Sequence, residues 1–264
     1  MDPKGKNVWI TGATSGIGRA LAVELARAGA RTLVSSRRLD RLEETVAACR
    51  MAGAEASALA LDLADAASLP GKAREAERSL GRIDILAAVA GVGQRGAALD
   101  TESAVARRIF EVDFWGTVEL ARLVLPAMYA RGGGQLVVVT GVLGKFGAPR
   151  RSFYSAAKHA LHGWCDSLRE EAPGAGVEVT LLVPGWVRTE ISEHALDDGG
   201  APHGRMDPGQ QRGITPEECA RRSLPAITKG LPEQLIGGIE CGGVYLNRIW
   251  PGLFRKMLRR RGIG

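Results

Sequence analysis

The stretch Asn7–Gly29, NVWITGATSGIGRALAVELARAG, decides how the rest of the chain is arranged. Val8, Trp9 and Ile10 give it a short apolar strand that runs without a break into GATSGIG. Helical periodicity follows at once, with Ile17, Leu21, Leu25 and Ala28 on one face and Gly29 closing the helix. Strand, glycine turn and helix in that order let a dinucleotide's pyrophosphate rest against the N–H groups at a helix N-terminus. In this reading Gly12 makes the tight turn, Gly16 lets the pyrophosphate approach, and Gly18 lets helix and strand pack closely, with Thr14, Ser15 and Ile17 lining the same turn. A glycine turn of no function is the competing reading.

A second strand, Arg31–Ser36, ends in Ser35-Ser36-Arg37-Arg38. Cofactors with a free ribose 2′-hydroxyl usually meet an acid at this point, and Ser36 stands where that acid would be. Guanidinium groups at Arg37 and Arg38 suit a 2′-phosphate through bidentate hydrogen bonds, so NADP(H) is expected rather than NAD(H), the competing reading being two arginines on a solvated helix start. The alternation then continues. Residues 39–53 read as helix, 54–61 as strand followed by Asp62-Leu63, 65–80 as helix, and 83–90 as a strand running into Ala90-Gly91-Val92-Gly93. Two helices back to back fill 101–131, strands follow at 134–140 and 177–183, and the latter ends in Pro184-Gly185-Trp186-Val187-Arg188-Thr189. Residues 191–213 are polar and read as either a lid, at about 190–214, or a disordered segment. Thr215-Pro216-Glu217-Glu218 restarts a helix with a capping box, and 234–237 reads as a last short strand. Repeated β-α units predict an α/β, doubly wound parallel sheet with helices on both faces, one domain spanning residues 1–264.

Composition narrows the class. A hydrophobic content of 45% with 24% charged residues is that of a soluble globular protein. The net charge of +6 equals the six cations Arg248, Arg255, Lys256, Arg259, Arg260 and Arg261 of an acid-free segment, 241–264, so no basic nucleic-acid-binding domain is indicated. Cys49, Cys165, Cys219 and Cys241 lie far apart with no metal-ligand spacing, which points to reduced thiols, no metal and a cytoplasmic setting. No leader pattern or membrane-length apolar run is present. Leu253, Phe254, Met257 and Leu258 share one helical face with arginines opposite, the pattern of a short peripheral helix at an anionic membrane surface, against which stands a subunit contact or a solvated end.

The stretch Gln135–Leu168, QLVVVTGVLGKFGAPRRSFYSAAKHALHGWCDSL, carries the chemistry. Tyr154 and Lys158 stand four residues apart on one helix face. A cation beside a phenol favours the phenolate and lowers its pKa from about 10 toward neutrality, making Tyr154 a candidate acid or base at a substrate oxygen. His159 and His162 on that helix suit packing or surface positions, and His194 and His203 in the lid lack a third ligand for a zinc site. Leu161, Trp164 and Leu168 form a stripe that suits core or subunit contact.

Taken jointly, Thr11-Gly-x-x-x-Gly-Ile-Gly18, Asp62-Leu63, Ala90-Gly91, Tyr154-x-x-x-Lys158 and Pro184-Gly-x-Val-x-Thr189 resemble the short-chain dehydrogenase/reductase family, in the family's order and up to Thr189. The resemblance implies a Rossmann fold with nicotinamide beside Tyr154, Lys158 on the nicotinamide ribose, Asp62 near the adenine, and Val187 and Thr189 at the carboxamide and pyrophosphate ends. It also implies a small-molecule substrate that is a carbonyl or an alcohol, and a homodimer or homotetramer. Three positions depart from the pattern. Gly141 replaces a substrate-orienting serine thirteen positions before the tyrosine, Asp113 replaces a relay asparagine, and Ala88-Val89-Ala90-Gly91 replaces Asn-Asn-Ala-Gly. Loss of one preorganised donor typically costs about 10²–10³ in rate. Thr140 and Ser152 are the nearby hydroxyls that could stand in. Asp113 could still accept a hydrogen bond from a relay water and would pair with Lys158 if close, whereas its negative charge would oppose the phenolate. Gly141, with Val142 and Trp186 on the substrate side, enlarges the pocket and suits a bulky or apolar substrate. The expected activity is therefore an NADP(H)-dependent oxidoreductase. The alternatives are a cofactor-binding protein that has lost chemistry and acts as a regulator or scaffold, and altered chemistry on the same scaffold.

Overall fold

Val8, Trp9 and Ile10 are fully buried in β1 (Asn7–Thr11), at the middle of a parallel sheet. The computed structural model describes residues 1–171 and 174–261, with no side-chain account of 260 and 261. The remaining strands are β2 (Arg31–Ser36), β3 (Ala56–Ala60), β4 (Ile85–Ala88), β5 (Gly134–Val139), β6 (Val177–Pro184) and β7 (Glu233–Ile236). Their order is β3-β2-β1-β4-β5-β6-β7, every pair parallel, with Trp9 opposite Leu33 on one side and Leu86 on the other. The chain winds outward from β1 to β3 and then returns to the far side of β1, and the crevice where direction reverses is the usual ligand position in such sheets.

Because side chains alternate across a strand, β1 sends Trp9 to one face and Val8 and Ile10 to the other. The Trp9 face packs on α3 (Leu69–Leu80), α5 (Gly116–Ala130) and α6 (Ser152–Glu171), through residues such as Leu120, Val124 and Leu161. The opposite face packs on α1 (Gly16–Arg27), α2 (Leu39–Met51) and α8 (Pro216–Lys229), through Leu21, Leu25, Leu42 and Ile227. Each such fully buried leucine or isoleucine contributes about 1.5–3 kcal/mol relative to exposure. Trp9 keeps its polar atom satisfied by donating Nε1–H to Ser35 Oγ at 2.8 Å. Leu161 is buried and Trp164 and Leu168 pack against the same cluster, so that stripe is core.

Several boundaries differ from the sequence reading. Residues 65–68 form turns and α3 starts at Leu69, with Pro70 in its first turn. The back-to-back helices of 101–131 are α4 (Ser103–Phe110) and α5 joined through a π-helical turn, Glu111–Trp115, with no break in helical backbone. Thr215 caps α8 by accepting the Glu218 N–H at 3.1 Å, but the Glu218 carboxylate engages Arg221 and Arg222, so only half of the expected capping box forms. Between α7 (Pro208–Gln211) and the end of β6 the lid consists of turns.

The C-terminal helices are α9 (Gly242–Ile249) and α10 (Pro251–Arg261). The apolar face expected to meet a membrane is turned largely inward, because Phe254 is buried edge-on against Phe146 at 4.8 Å while Met257 and Leu258 line the cleft described below. Of that set only Leu253 is exposed, beside Tyr245, Ile249 and Trp250. The rest of the basic segment, residues 262–264, lies outside the described residues. Among the described residues no helix is long and apolar enough to cross a membrane.

Candidate active site

The glycine turn after β1 is built as tightly as its spacing requires. Gly12 has φ +69°, and a Cβ on it would lie 2.6 Å from Ala90 Cα. A Cβ on Gly18 would lie 2.2 Å from the Gly12 carbonyl oxygen, so a side chain there would push α1 off the strand. Gly16, at φ +52°, sits against Thr189, whose Cγ2 would be 2.9 Å from an added Cβ. Thr11 Oγ1 accepts the N–H groups of Val89 and Ala90 at 3.2 and 3.3 Å, tying the β1 turn to the β4 turn. Every cofactor-side residue singled out in the sequence, from Gly12 through Ser36, Arg37, Arg38, Asp62 and Leu63 to Thr189, lines one cleft of about 1990 Å³. Sites for one small ligand occupy about 300–1,000 Å³, so this cleft has room for a dinucleotide and a second molecule. The Cβ-free cradle at the N-terminus of α1 fits a pyrophosphate, and Arg37 and Arg38 are exposed at the end of β2. Among the described residues no group of His, Cys, Asp and Glu could hold a metal ion.

Tyr154 and Lys158 line the cleft from the first two turns of α6. Lys158 Nζ lies 5.6 Å from the centre of the Tyr154 ring. Asp113 does not line the cleft; it sits behind it, fully buried in the π turn, with Oδ1 2.9 Å from Lys158 Nζ. The Val92 N–H donates to the same carboxylate at 3.1 Å. A Cβ on Gly91 would come within 2.6 Å of Asp113 Oδ1 and 3.3 Å of Lys158 Nζ, so only glycine lets this pair meet the β4 loop. Burial pushes the Asp113 carboxyl up against the opposing pull of Lys158. Burial would lower the Lys158 ammonium, but Asp113 beside it lifts it above its ordinary value.

The phenol does not follow the sequence expectation. Burial pushes the Tyr154 hydroxyl up, Lys158 pulls it down, Asp113 pushes it up again, and the net direction is upward. The lysine is where the spacing placed it, but its charge is shared with a carboxylate 2.9 Å away.

Gly141 adopts φ +84° and ψ 163°, backbone that is essentially glycine-only. A Cβ there would point into the site, 4.0 Å from the Tyr154 hydroxyl and 3.4 Å from the Pro184 carbonyl oxygen. Neither substitute hydroxyl replaces the missing serine. Thr140 Oγ1 is buried and paired with His162 Nε2 at 2.9 Å, and His162 is pushed down to about 4, chiefly by burial and then by Lys145. Ser152 begins α6 without lining the cleft, its hydroxyl buried and unpartnered among the described residues. His159 Nδ1 meets the Ser155 carbonyl, so neither histidine of α6 takes part in the site, while His194 of the lid lines the cleft.

Sequence reasoning missed four polar side chains beside Tyr154. Gln94 accepts the N–H of Phe153 and of Tyr154. Arg95 and Arg151, both buried, converge on Asp207 of the lid. Burial pushes the Asp207 carboxyl up, but its hydrogen bonds and charge pairing with Arg95 and Arg151 hold it below the usual carboxylate range. These are single polar residues in loops, without periodicity or motif spacing, so only the three-dimensional meeting identifies them. Elsewhere in the cleft Glu240 was missed as well, its Oε1 accepting the N–H of Trp186 at 3.0 Å and of Gly238 at 2.9 Å.

Comparison with known proteins agrees with this geometry. Residues 6–199 match the family model described as short chain dehydrogenase. The chain is 37% identical to dehydrogenase/reductase SDR family protein 7-like of Anopheles gambiae over 97% of its own length and 83% of that protein. It is 36% identical to dehydrogenase/reductase SDR family member 7B of Bos taurus over 96% and 80%. Among solved structures, a short chain dehydrogenase/reductase from Burkholderia phymatum in complex with NAD superposes with a TM-score of 0.84 at 25% identity, covering 96% of each chain. An alcohol dehydrogenase from Thermococcus sibiricus complexed with 5-hydroxy-NADP gives 0.76 at 25% identity, covering 89% of this chain and 97% of that one.

Proposed function

The chain belongs to the short-chain dehydrogenase/reductase family of oxidoreductases, and on that footing we propose that it interconverts a carbonyl and an alcohol using NADP(H). The observation that carries this reading is that Tyr154 and Lys158 line the same cleft as the glycine cradle of Gly12, Gly16 and Gly18. Bound there, a nicotinamide supplies or accepts the hydride. Tyr154 gives a proton to the substrate oxygen in reduction and takes it in oxidation. Lys158 holds the nicotinamide ribose, and Asp113 fixes the lysine from behind. Val187 and Thr189 hold the carboxamide and pyrophosphate ends, and Asp62 the adenine. Arg37 and Arg38 favour the phosphorylated cofactor by charge-assisted hydrogen bonds. The related structures contain NAD in one case and 5-hydroxy-NADP in the other, so cofactor choice rests on those two arginines.

Val142, Phe146, Trp186, Leu246 and Phe254 make the substrate end of the cleft apolar, which supports a bulky or apolar substrate. Exposed Trp115 and Leu123 near and on α5 support self-association into a dimer or tetramer. Exposed Tyr245, Ile249, Trp250 and Leu253 beside Arg248, Arg255 and Lys256 support peripheral contact with an anionic membrane by a cytoplasmic protein.

Titration with NADPH and NADH, followed by turnover on a panel of long-chain and polycyclic ketones, tests cofactor, activity and substrate size together. Arg37→Ala with Arg38→Ala should weaken NADPH binding on the order of tenfold or more and leave NADH unchanged. Tyr154→Phe should abolish turnover with NADPH binding intact; undiminished turnover removes Tyr154 from the mechanism. The second reading, a cofactor-binding protein without catalysis, is favoured by the glycine-only backbone at Gly141. Efficient turnover by the unaltered protein defeats it.

A further inference from the structure

The first N–H groups of an α-helix need acceptors from outside the helix. For α6, which carries Tyr154, the acceptor comes from the loop after β4. Gln94 is fully buried, and its Oε1 accepts the Phe153 N–H at 2.8 Å and the Tyr154 N–H at 3.3 Å. Its amide nitrogen is fixed in turn by the Thr101 hydroxyl at 3.1 Å. The same loop is stitched to the lid, the Arg95 N–H donating to the Leu196 carbonyl at 2.7 Å and the Leu196 N–H to the Gly93 carbonyl at 2.9 Å. The Arg95 guanidinium grips the Asp207 carboxylate with two N–H groups, Nε at 3.2 Å and Nη2. Asp207 also accepts from Arg151 Nη2 at 2.9 Å, and Arg151 immediately precedes α6. Lid, β4 loop and first turn of α6 thus form a closed ring of contacts at the backbone of Tyr154. Among the described residues no hydrogen bond holds the Tyr154 hydroxyl itself, so the phenol is aimed by its backbone seat.

We propose that Asp207 and Gln94 are positioning residues for Tyr154, the lid carboxylate drawing Arg95 and Arg151 together and Gln94 passing that constraint to the first turn of the helix. The proposal rests on Tyr154 as the proton carrier. Its consequence is that seating the lid over the cleft and setting the phenol are one event.

The test compares the parent with Asp207→Asn, which keeps the side chain's shape, with Gln94→Ala, and with the double variant. A small misplacement of a reacting group costs on the order of 10²-fold, and each single variant should lose kcat on that order while cofactor Kd stays within about twofold. The double variant should be little worse than the poorer single one, because both cut the same linkage. Gln94→Glu, which keeps an acceptor oxygen, should recover part of what Gln94→Ala loses. Amide hydrogen exchange gives a readout independent of turnover, and Asp207→Asn should speed exchange at Phe153 and Tyr154 although the change lies in the lid. Unchanged exchange there, losses that multiply in the double variant, or cofactor affinity falling in step with kcat overturns the proposal. Faster exchange together with undiminished turnover by Tyr154→Phe instead places the failure in the proton-carrier reading.

Discussion

Asp113 gives the lysine a fixed buried counter-charge but works against ionisation of the phenol. Replacing it with asparagine removes the negative charge that pushes Tyr154 up, so the phenol should titrate at lower pH. In alcohol oxidation, where the phenolate is the base, the pH midpoint of kcat should move downward; in reduction, where the phenol is the acid, the falling limb should move the same way. A pH profile of Asp113→Asn that coincides with the parent's would show that this charge does not govern the site. The same change strands the buried Lys158 without a counter-charge, which costs up to about 3–5 kcal/mol and should lower the thermal midpoint. Gly141→Ser behaves differently. Serine at φ +84° and ψ 163° forces backbone strain on the order of 1–3 kcal/mol. The variant should therefore unfold at lower temperature and gain little kcat, even though its side chain would start 4.0 Å from the Tyr154 hydroxyl. A large gain without loss of stability would mean that the turn at Gly141 is more pliable than its geometry indicates.

Much of this site was legible because its demands are local. A Cβ on any of the three glycines of the β1 turn would lie 2.2 to 2.9 Å from a neighbouring atom, and the spacing of those glycines marks this close approach in the sequence. Tyr154 and Lys158 were legible for the same reason, as neighbours on one helix. Asp113, the partner of the lysine, was legible only through the family resemblance, because the π turn that delivers it inward has no sequence signature separate from the helices it joins. Gln94 was not legible, since its bonds to α6 span 59 and 60 residues of chain. Glu240 belongs with these. Its Oε1 bridges the loop after β6 to the loop after β7, filling space that Gly185 leaves, where a Cβ would lie 2.1 Å from it. Glu240→Ala should loosen the Pro184–Thr189 loop and raise cofactor Kd about tenfold, the worth of one hydrogen bond to a charged group. Glu240→Gln retains an acceptor and should recover most of that affinity. Equal affinity in all three proteins would remove Glu240 from the cofactor site.

An exposed apolar surface lies where α9 meets α10. Tyr245, Ile249, Trp250 and Leu253 are exposed there among cations, while Phe254 from the same turn is buried. Deleting the segment would uncover the core at Phe146, so substitution is the cleaner test. Ile249→Ser with Trp250→Ser should abolish sedimentation with anionic vesicles at low salt and leave turnover on a water-soluble carbonyl unchanged. No sedimentation by the parent under those conditions disposes of the membrane contact. The strand order has a further consequence. β1 is made first yet lies mid-sheet, and the partner for its second edge, β4, is more than seventy residues later. As the nascent chain leaves the ribosome, that row of N–H and C=O groups, with apolar Val8, Trp9 and Ile10 along it, waits uncovered until Ile85–Ala88 emerges. Unpaired edges of this kind recruit other chains. The interval between synthesis of β1 and of β4 is thus one in which chaperone cover matters to this sheet, and slowing synthesis just before residue 85 should lower soluble yield more than slowing it after residue 140.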